Sequence, residues 1–283
     1  MEKLIFSDNK MFIVEKLLYQ NEQTNTKIFS VKDSKLLRQV IIKQIVYEND
    51  LQKKQILKEI NNQIVLESYT EHIPFIHNVF INEKQKIIAL EMSLIKGRSL
   101  RDIISETSYP LKDPVIYKEF LKYYVWICET MSRIHKVRNF VHKDIKPENI
   151  IINSQRNSAY VIDFGISGPG LSKEIGTYEY MAPEQRKNVD RYHVCQSTDV
   201  YALGLVGIEL FTGSVLQYGK DLKFDSIGEN WKNIDSLNIE KIGGSVLPLL
   251  GGILKKAISM DPKDRYQNAI SLFSATKLLR VKK

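Results

Sequence analysis

The sequence predicts an α+β fold, and three observations carry that expectation. Strand-like runs dominate residues 11–92, with one helical pattern among them, and the patterns beyond residue 99 are mostly helical. Strands grouped first and helices grouped after give the order of an α+β chain, not of alternating βαβ units. With 283 residues the chain is long enough for one large domain or for two lobes around a cleft, and it carries no internal repeat.

The elements follow in order. Met11-Phe12-Ile13-Val14 is apolar, Ile28-Phe29-Ser30-Val31 is β-prone, and Val40-Ile41-Ile42-Lys43-Gln44-Ile45-Val46 reads as a strong strand. Over 51–69 the period becomes helical, with Leu51, Ile56, Leu57, Ile60, Ile64 and Val65 approximating one face. Residues 75–81 and 86–92 read as two more strands, separated by Asn82-Glu83-Lys84-Gln85. All 14 glycines stand at or after Gly97, and 93–97 reads as a connector. Ser99 takes an N-cap position for a short helix over 99–104. A long amphipathic helix is expected over 113–138, with Pro114 in its first turn. Residues 199–212 are apolar on more than one face, so that helix should be buried, and Gly213 ends it. Closing helices are expected over 247–260 and 268–279.

Composition excludes several classes. A hydrophobic content of 43% suits an ordinary globular protein. No apolar run approaches the roughly 20 residues needed to cross a bilayer. The first residues show no long apolar stretch of a signal peptide. Cys128 and Cys195 make no metal-ligand pattern and are expected as buried free thiols of a reducing, cytoplasmic compartment. The net charge of +8 is uneven: residues 1–95 hold 13 Lys/Arg and 12 Asp/Glu, and residues 96–283 hold 28 and 21. That excess suits acidic protein partners or, more simply, a lysine-rich solvated surface. No nucleic-acid-binding fingerprint accompanies it.

Chemistry concentrates in His142-Lys143-Asp144-Ile145-Lys146-Pro147-Glu148-Asn149. A carboxylate can accept the proton of an attacking hydroxyl, a lysine two places on can neutralise a moving phosphoryl group, and an asparagine three beyond can hold a metal ion. Asp163-Phe164-Gly165 follows 19 residues after Asp144, behind the short strand Ala159-Tyr160-Val161-Ile162. An aspartate there, with glycine for a sharp turn, suits a metal–nucleotide site. Gly176-Thr177-Tyr178-Glu179-Tyr180-Met181-Ala182-Pro183-Glu184 comes next.

These three stretches, with Asp199, closely resemble eukaryotic-type serine/threonine protein kinases, including the bacterial signalling members. The resemblance covers about residues 10–280 and is most specific over 135–213. It implies a single bilobal kinase domain over 1–283. The small, mainly β N-lobe would span 1–95 with one main helix, and the larger, mainly α C-lobe 96–283. It implies ATP and Mg2+ as cofactors, with Mn2+ as the alternative ion, and protein substrates rather than a membrane. Asp144 would be the catalytic base and Lys146 the contact to the γ-phosphate, favouring Ser/Thr over Tyr hydroxyls. Asn149 and Asp163 would hold the metal ion. Lys43 would grip the α- and β-phosphates and Glu59 would pair with it, with Glu67 the weaker alternative. Thr177 would shape the acceptor site, Glu184 would pair with Arg265, and Asp199 would anchor the loop from beneath. For the adenine, Met92 matches the gatekeeper, Ser93 and Ile95 the backbone hydrogen-bonding positions, and Ile151 the apolar floor. A register with Leu90-Glu91 as the gatekeeper pair stays open.

The chain also departs from that family. In place of a glycine-rich loop it has Tyr19-Gln20-Asn21-Glu22-Gln23-Thr24-Asn25-Thr26-Lys27, where Asn21 and Asn25 are the residues that tolerate positive φ. A looser phosphate cover and weaker ATP binding are expected. Ile41 stands where alanine is preferred, and Gln63 where an apolar residue is usual. Lys143 replaces an arginine, giving a point charge instead of a fork. Only 16 residues separate Gly165 from Ala182, and they include Ser167, Ser172 and Thr177, so activation that does not depend strongly on phosphorylation is expected. The alternatives to an active kinase are a nucleotide-binding pseudokinase scaffold and, more remotely, a small-molecule kinase.

Overall fold

The computed structural model describes residues 3–5, 10–22, 24–109, 113–164, 176–186, 193–214 and 246–279. The chain divides into two compact units, Met1–Lys96 and Gly97–Lys283.

In the first unit six strands form one antiparallel sheet in the order β1-β2-β3-β4-β6-β5. They are β1 (Lys3–Ile5), β2 (Met11–Asn21), β3 (Thr26–Asp33), β4 (Gln39–Val46), β5 (Ile76–Asn82) and β6 (Ile87–Ser93), with helix α1 (Asp50–Glu67) between β4 and β5. Strand β4 carries apolar residues on both faces because both are covered. Val40 and Ile42 pack with Phe12, Phe29, Val31, Phe80 and Ala89 on one side. Ile41 and Ile45 pack on the other with Ile56 and Ile60 of α1 and with Ile88, Leu90 and Met92. Two features differ from the sequence reading. Strand β1 adds a sixth strand, and β2 runs on to Asn21 through register shifts between Val14/Lys16 and Leu17/Tyr19. Those irregularities break the alternation that periodicity needs, leaving Leu17, Leu18 and Tyr19 exposed.

Helix α1 starts where the Asn49 side chain accepts the Gln52 N–H. Its buried stripe is Ile56, Ile60, Gln63 and Leu66, while Leu51, Ile64 and Val65 are exposed. The real face is therefore rotated from the expected one, and a glutamine occupies it. Each fully buried Ile or Leu contributes about 1.5–3 kcal/mol.

The second unit holds α2 (Leu100–Glu106), α3 (Pro114–Ile134), α4 (Gln196–Thr212), α5 (Val246–Ala257) and α6 (Ala269–Thr276). It also holds a small sheet of β7 (Arg98–Ser99), β8 (Ile150–Asn153) and β9 (Ser158–Val161). The Ser99 and Asp113 side chains cap α2 and α3. Every residue of α4 from Ser197 to Phe211 is buried, as its all-round apolar pattern requires. Gly213 ends it at φ 72°, a left-handed turn that suits glycine. Around Phe211 stand Tyr117, Phe120 and Tyr124 of α3, at 5.4, 6.4 and 6.4 Å between ring centres. Helix α3 stops at Ile134, short of the expected 138, with His135 as its C-cap and the His135 ring in a buried polar network. Cys128 is buried, but Cys195 is exposed, which corrects the reading of two buried thiols. Among the described residues no helix is long and apolar enough to cross a membrane.

Candidate active site

The loop His142–Asn149 lies between α3 and β8, and the first turn of α4 holds it from below. Asp199, 1% exposed, accepts the His142 N–H through Oδ2 at 2.7 Å and the Lys143 N–H through Oδ1 at 2.8 Å. His135 adds a third bond, Nε2 to Asp199 Oδ2 at 2.9 Å. Its Nδ1 accepts the Ala269 N–H at 2.9 Å, so the proton sits on Nε2 and His135 is a donor to the carboxylate. Burial pushes the Asp199 carboxyl up, but the His135 hydrogen bond and the charges and amides around it hold it below its ordinary value. A loop anchored in this way can hold backbone strain: Lys143 sits at φ 73°. Gln185 fixes the outgoing side, donating from Nε2 to Lys143 O at 2.9 Å.

Above this base, Asp144, Lys146 and Thr177 converge. Thr177 donates twice to Asp144 Oδ1, from its N–H and from its hydroxyl, both at 2.8 Å. Lys146 Nζ donates to Thr177 Oγ1 at 2.7 Å and lies 3.1 Å from Asp144 Oδ2. Gly176 permits the approach. It sits at φ 131°, and a Cβ there would lie 2.7 Å from Lys143 O. The result is a carboxylate of fixed orientation beside an ammonium, on a partly buried surface.

Asn149 completes the loop. Its Nδ2 donates to Asp144 O at 2.9 Å and to Asp144 Oδ2 at 3.2 Å, which leaves Oδ1 as the acceptor available to a ligand. The Ile162 N–H donates to Asn149 O at 2.9 Å, tying the end of β9 to the loop one residue before Asp163. Asp163 sits at φ 64°, and Phe164 behind it packs on His142, 5.0 Å between ring centres, and on Phe140, 6.3 Å. His142 is itself buried, and burial lowers its pKa, so a neutral ring backs the site. An asparagine oxygen and one carboxylate fit Mg2+, which keeps several waters and binds few protein oxygens. They would not build an all-protein cage, and among the described residues no cluster of three or more His, Cys, Asp or Glu could hold a metal ion.

The remaining candidates divide between the two units. Ile151 lies half-buried on β8, opposite Tyr160 of β9. In the first unit Lys43, 8% exposed, stands on β4 between Ile41 and Ile45, on the side covered by α1, and Glu59 is half-buried on that helix. Glu67 instead accepts the Ile76 N–H at 2.7 Å. On β6, Met92 faces Ile41 and Leu90 faces Lys43 in register, whereas Glu91 points to the opposite face. There Glu91 is fully buried against Lys10 (2.5 Å), Arg38 (2.8 Å) and Asn78 (2.5 Å). Ser93 ends β6, and Ile95 follows half-buried. Asn25 holds φ 49° in the β2–β3 turn, while Asn21 ends β2 and accepts the Thr24 N–H. Gly165, Ser167 and Ser172 lie outside the described residues.

Two supports of this loop and its surroundings were not legible in the sequence. One is Gln185, already described. The other is Arg101 of α2, which donates to Glu148 (2.7 Å), Glu209 (2.5 Å) and the Tyr180 hydroxyl (2.7 Å). No spacing rule connects residues so far apart, and a lone arginine after a helix cap gives no signal. The expected Glu184–Arg265 pair is present as a buried fork, 2.7 and 2.9 Å, with Tyr201 under the guanidinium at 4.8 Å.

Residues 24–276 match the family model described as the protein kinase domain. Serine/threonine-protein kinase D of Synechocystis sp. is 30% identical over 272 residues, covering 87% of this chain and 48% of that protein. Serine/threonine-protein kinase PrkC of Bacillus subtilis is 27% identical over 251 residues, covering 86% of this chain and 36% of that protein. Mitogen-activated protein kinase kinase 3 of Arabidopsis thaliana is 32% identical over 175 residues, covering 59% of this chain and 31% of that protein. The chain thus spans about half the length, or less, of these curated relatives.

Proposed function

This chain belongs to the protein kinase domain family, and on that premise we propose that it transfers the γ-phosphate of ATP to serine or threonine hydroxyls of protein substrates. The Asp144–Thr177–Lys146 cluster carries the reading, because in it a carboxylate of fixed orientation, an ammonium and a threonine hydroxyl stand together. Relatives named as serine/threonine kinases point the same way.

Asp144 accepts the proton of the attacking hydroxyl. The paired donation from Thr177 fixes the plane of its carboxylate, so orientation is set before the substrate arrives. Lys146 carries its charge to the γ-phosphate as negative charge spreads over the transferring group. Asn149 and Asp163 would hold Mg2+, which would supply positive charge to the phosphate oxygens. Lys43 grips the α- and β-phosphates, and Glu59 orients it. Met92, Ser93, Ile95 and Ile151 receive the adenine. The glycine-free β2–β3 turn covers the phosphates less closely than a glycine-rich one, and ATP binding is correspondingly weak.

The test is incubation with labelled ATP, Mg2+ and a generic basic protein, beside an Asp163→Ala control. Labelled protein in the first and none in the control supports the reading. Nucleotide binding without any transfer selects the pseudokinase scaffold, and labelling confined to a small molecule selects a small-molecule kinase.

A further inference from the structure

Residues 74–76 run between α1 and the end of β6 and are held from both sides. On the helix side Gln63 donates from Nε2 to Pro74 O at 2.8 Å. Glu67, one turn further, accepts the Ile76 N–H at 2.7 Å. On the other side the Phe75 N–H donates to Ser93 Oγ, and Phe75 O accepts the Ser93 N–H, both at 2.9 Å. Successive peptide groups of an extended chain point to opposite sides, so this short rail offers one pair of groups to the helix and the next to Ser93.

Gln63 is 6% exposed and stands in the apolar stripe of Ile56, Ile60 and Leu66. Burying an amide there costs desolvation that an aliphatic residue would not incur, and the bond to Pro74 offsets it. What the amide adds is direction. Apolar contacts restrain a helix without specifying its rotation. Two hydrogen bonds one turn apart fix both its rotation and its position along the axis. The rail is the firm partner, since it leads into β5, which pairs with β6 from Ile76↔Met92 to Asn82↔Ile87. Glu59 lies one turn before Gln63 on the same helix.

We propose that Gln63 and Glu67 are positioning residues for the phosphate grip: through residues 74–76 they set α1, and Glu59 with it, at a fixed placement relative to Ser93. This rests on the kinase reading given above, in which Glu59 orients Lys43 and Ser93 receives the adenine.

The experiment compares ATP with adenosine, which has no phosphates to grip, on the full chain and on Gln63→Met and Glu67→Leu. Glu67→Gln is the conservative control, because it keeps an oxygen for the Ile76 N–H. ATP binding should weaken about five- to tenfold in Gln63→Met and Glu67→Leu, as expected for one lost hydrogen bond. Adenosine should stay within about twofold, Glu67→Gln should bind ATP like the unaltered chain, and Gln63→Met should cost nothing further in a Lys43→Ala background. Equal losses for ATP and adenosine, no loss for either, or a full loss on top of Lys43→Ala overturns the proposal. An unaltered chain that binds neither compound overturns the kinase reading first and this proposal with it. Should Gln63→Met fail to fold by circular dichroism, the Glu67→Leu and Glu67→Gln pair decides alone.

Discussion

Thr177 shows what a single residue does here. Its N–H and hydroxyl both hold Asp144 Oδ1, and its oxygen also receives Lys146, so two charged side chains meet at one hydroxyl. Thr177→Ala should lower kcat about 10- to 100-fold, since a misplaced carboxylate costs rate even when present. Thr177→Ser, which keeps the hydroxyl, should stay within about threefold by the same reasoning; equal losses in the two would show that the methyl group matters instead. Asp144→Asn removes the proposed base. It should lower single-turnover transfer about 10²- to 10⁴-fold while ATP affinity is kept. At this scale the sequence was informative for residues close in the chain. Asp144, Lys146 and Asn149 were readable from spacing, because one short loop carries all three. Arg101 and Gln185 were not, since their partners come from other segments.

The elements carry the departures. In the β2–β3 turn Asn25 adopts φ 49°, which asparagine tolerates and β-branched residues do not. Asn25→Gly should leave stability unchanged in chemical denaturation, and Asn25→Val should cost about 1–2 kcal/mol. On β6, Glu91 is buried under Lys10, Asn78 and Arg38. Burial pushes its carboxyl up, but those three donors win and hold it below the ordinary 4.5. A depressed carboxyl stabilises the fold above its unfolded pKa, and that contribution is lost as pH falls through the folded value. Glu91→Gln should therefore lower the melting temperature at neutral pH, and the gap to the unaltered chain should close as pH drops below 4.5. A gap that stays constant with pH would mean that Glu91 acts by shape. Helix α1 marks the limit of periodicity. Its pattern gave the helix and, in Ile56 and Ile60, part of its buried face, but a buried glutamine and exposed Ile64 and Val65 rotate that face away from the usual cue.

On the scale of the whole molecule, the second unit is braced by Glu184 and Arg265, 81 residues apart and both essentially buried. Removing one partner leaves a buried charge unpaired, so Glu184→Ala should cost about 3–5 kcal/mol. Because solvent ions cannot reach the pair, the loss should be the same at low and high salt; a strongly salt-dependent loss would place the pair at the surface. The order of the main elements, the α+β class, the loop His142–Asn149 and the identity of its charged residues were determined by the sequence, because local propensity and short spacings encode them. Tertiary structure alone decided the rest: the third support of the loop through His135, the orientation of the Asp144 carboxylate, the Arg101 tripod and the two-sided grip on residues 74–76. Each of those is a directional bond between segments far apart in the chain. Sequence supplies the donors and acceptors, and only the packed backbone brings them within hydrogen-bond reach.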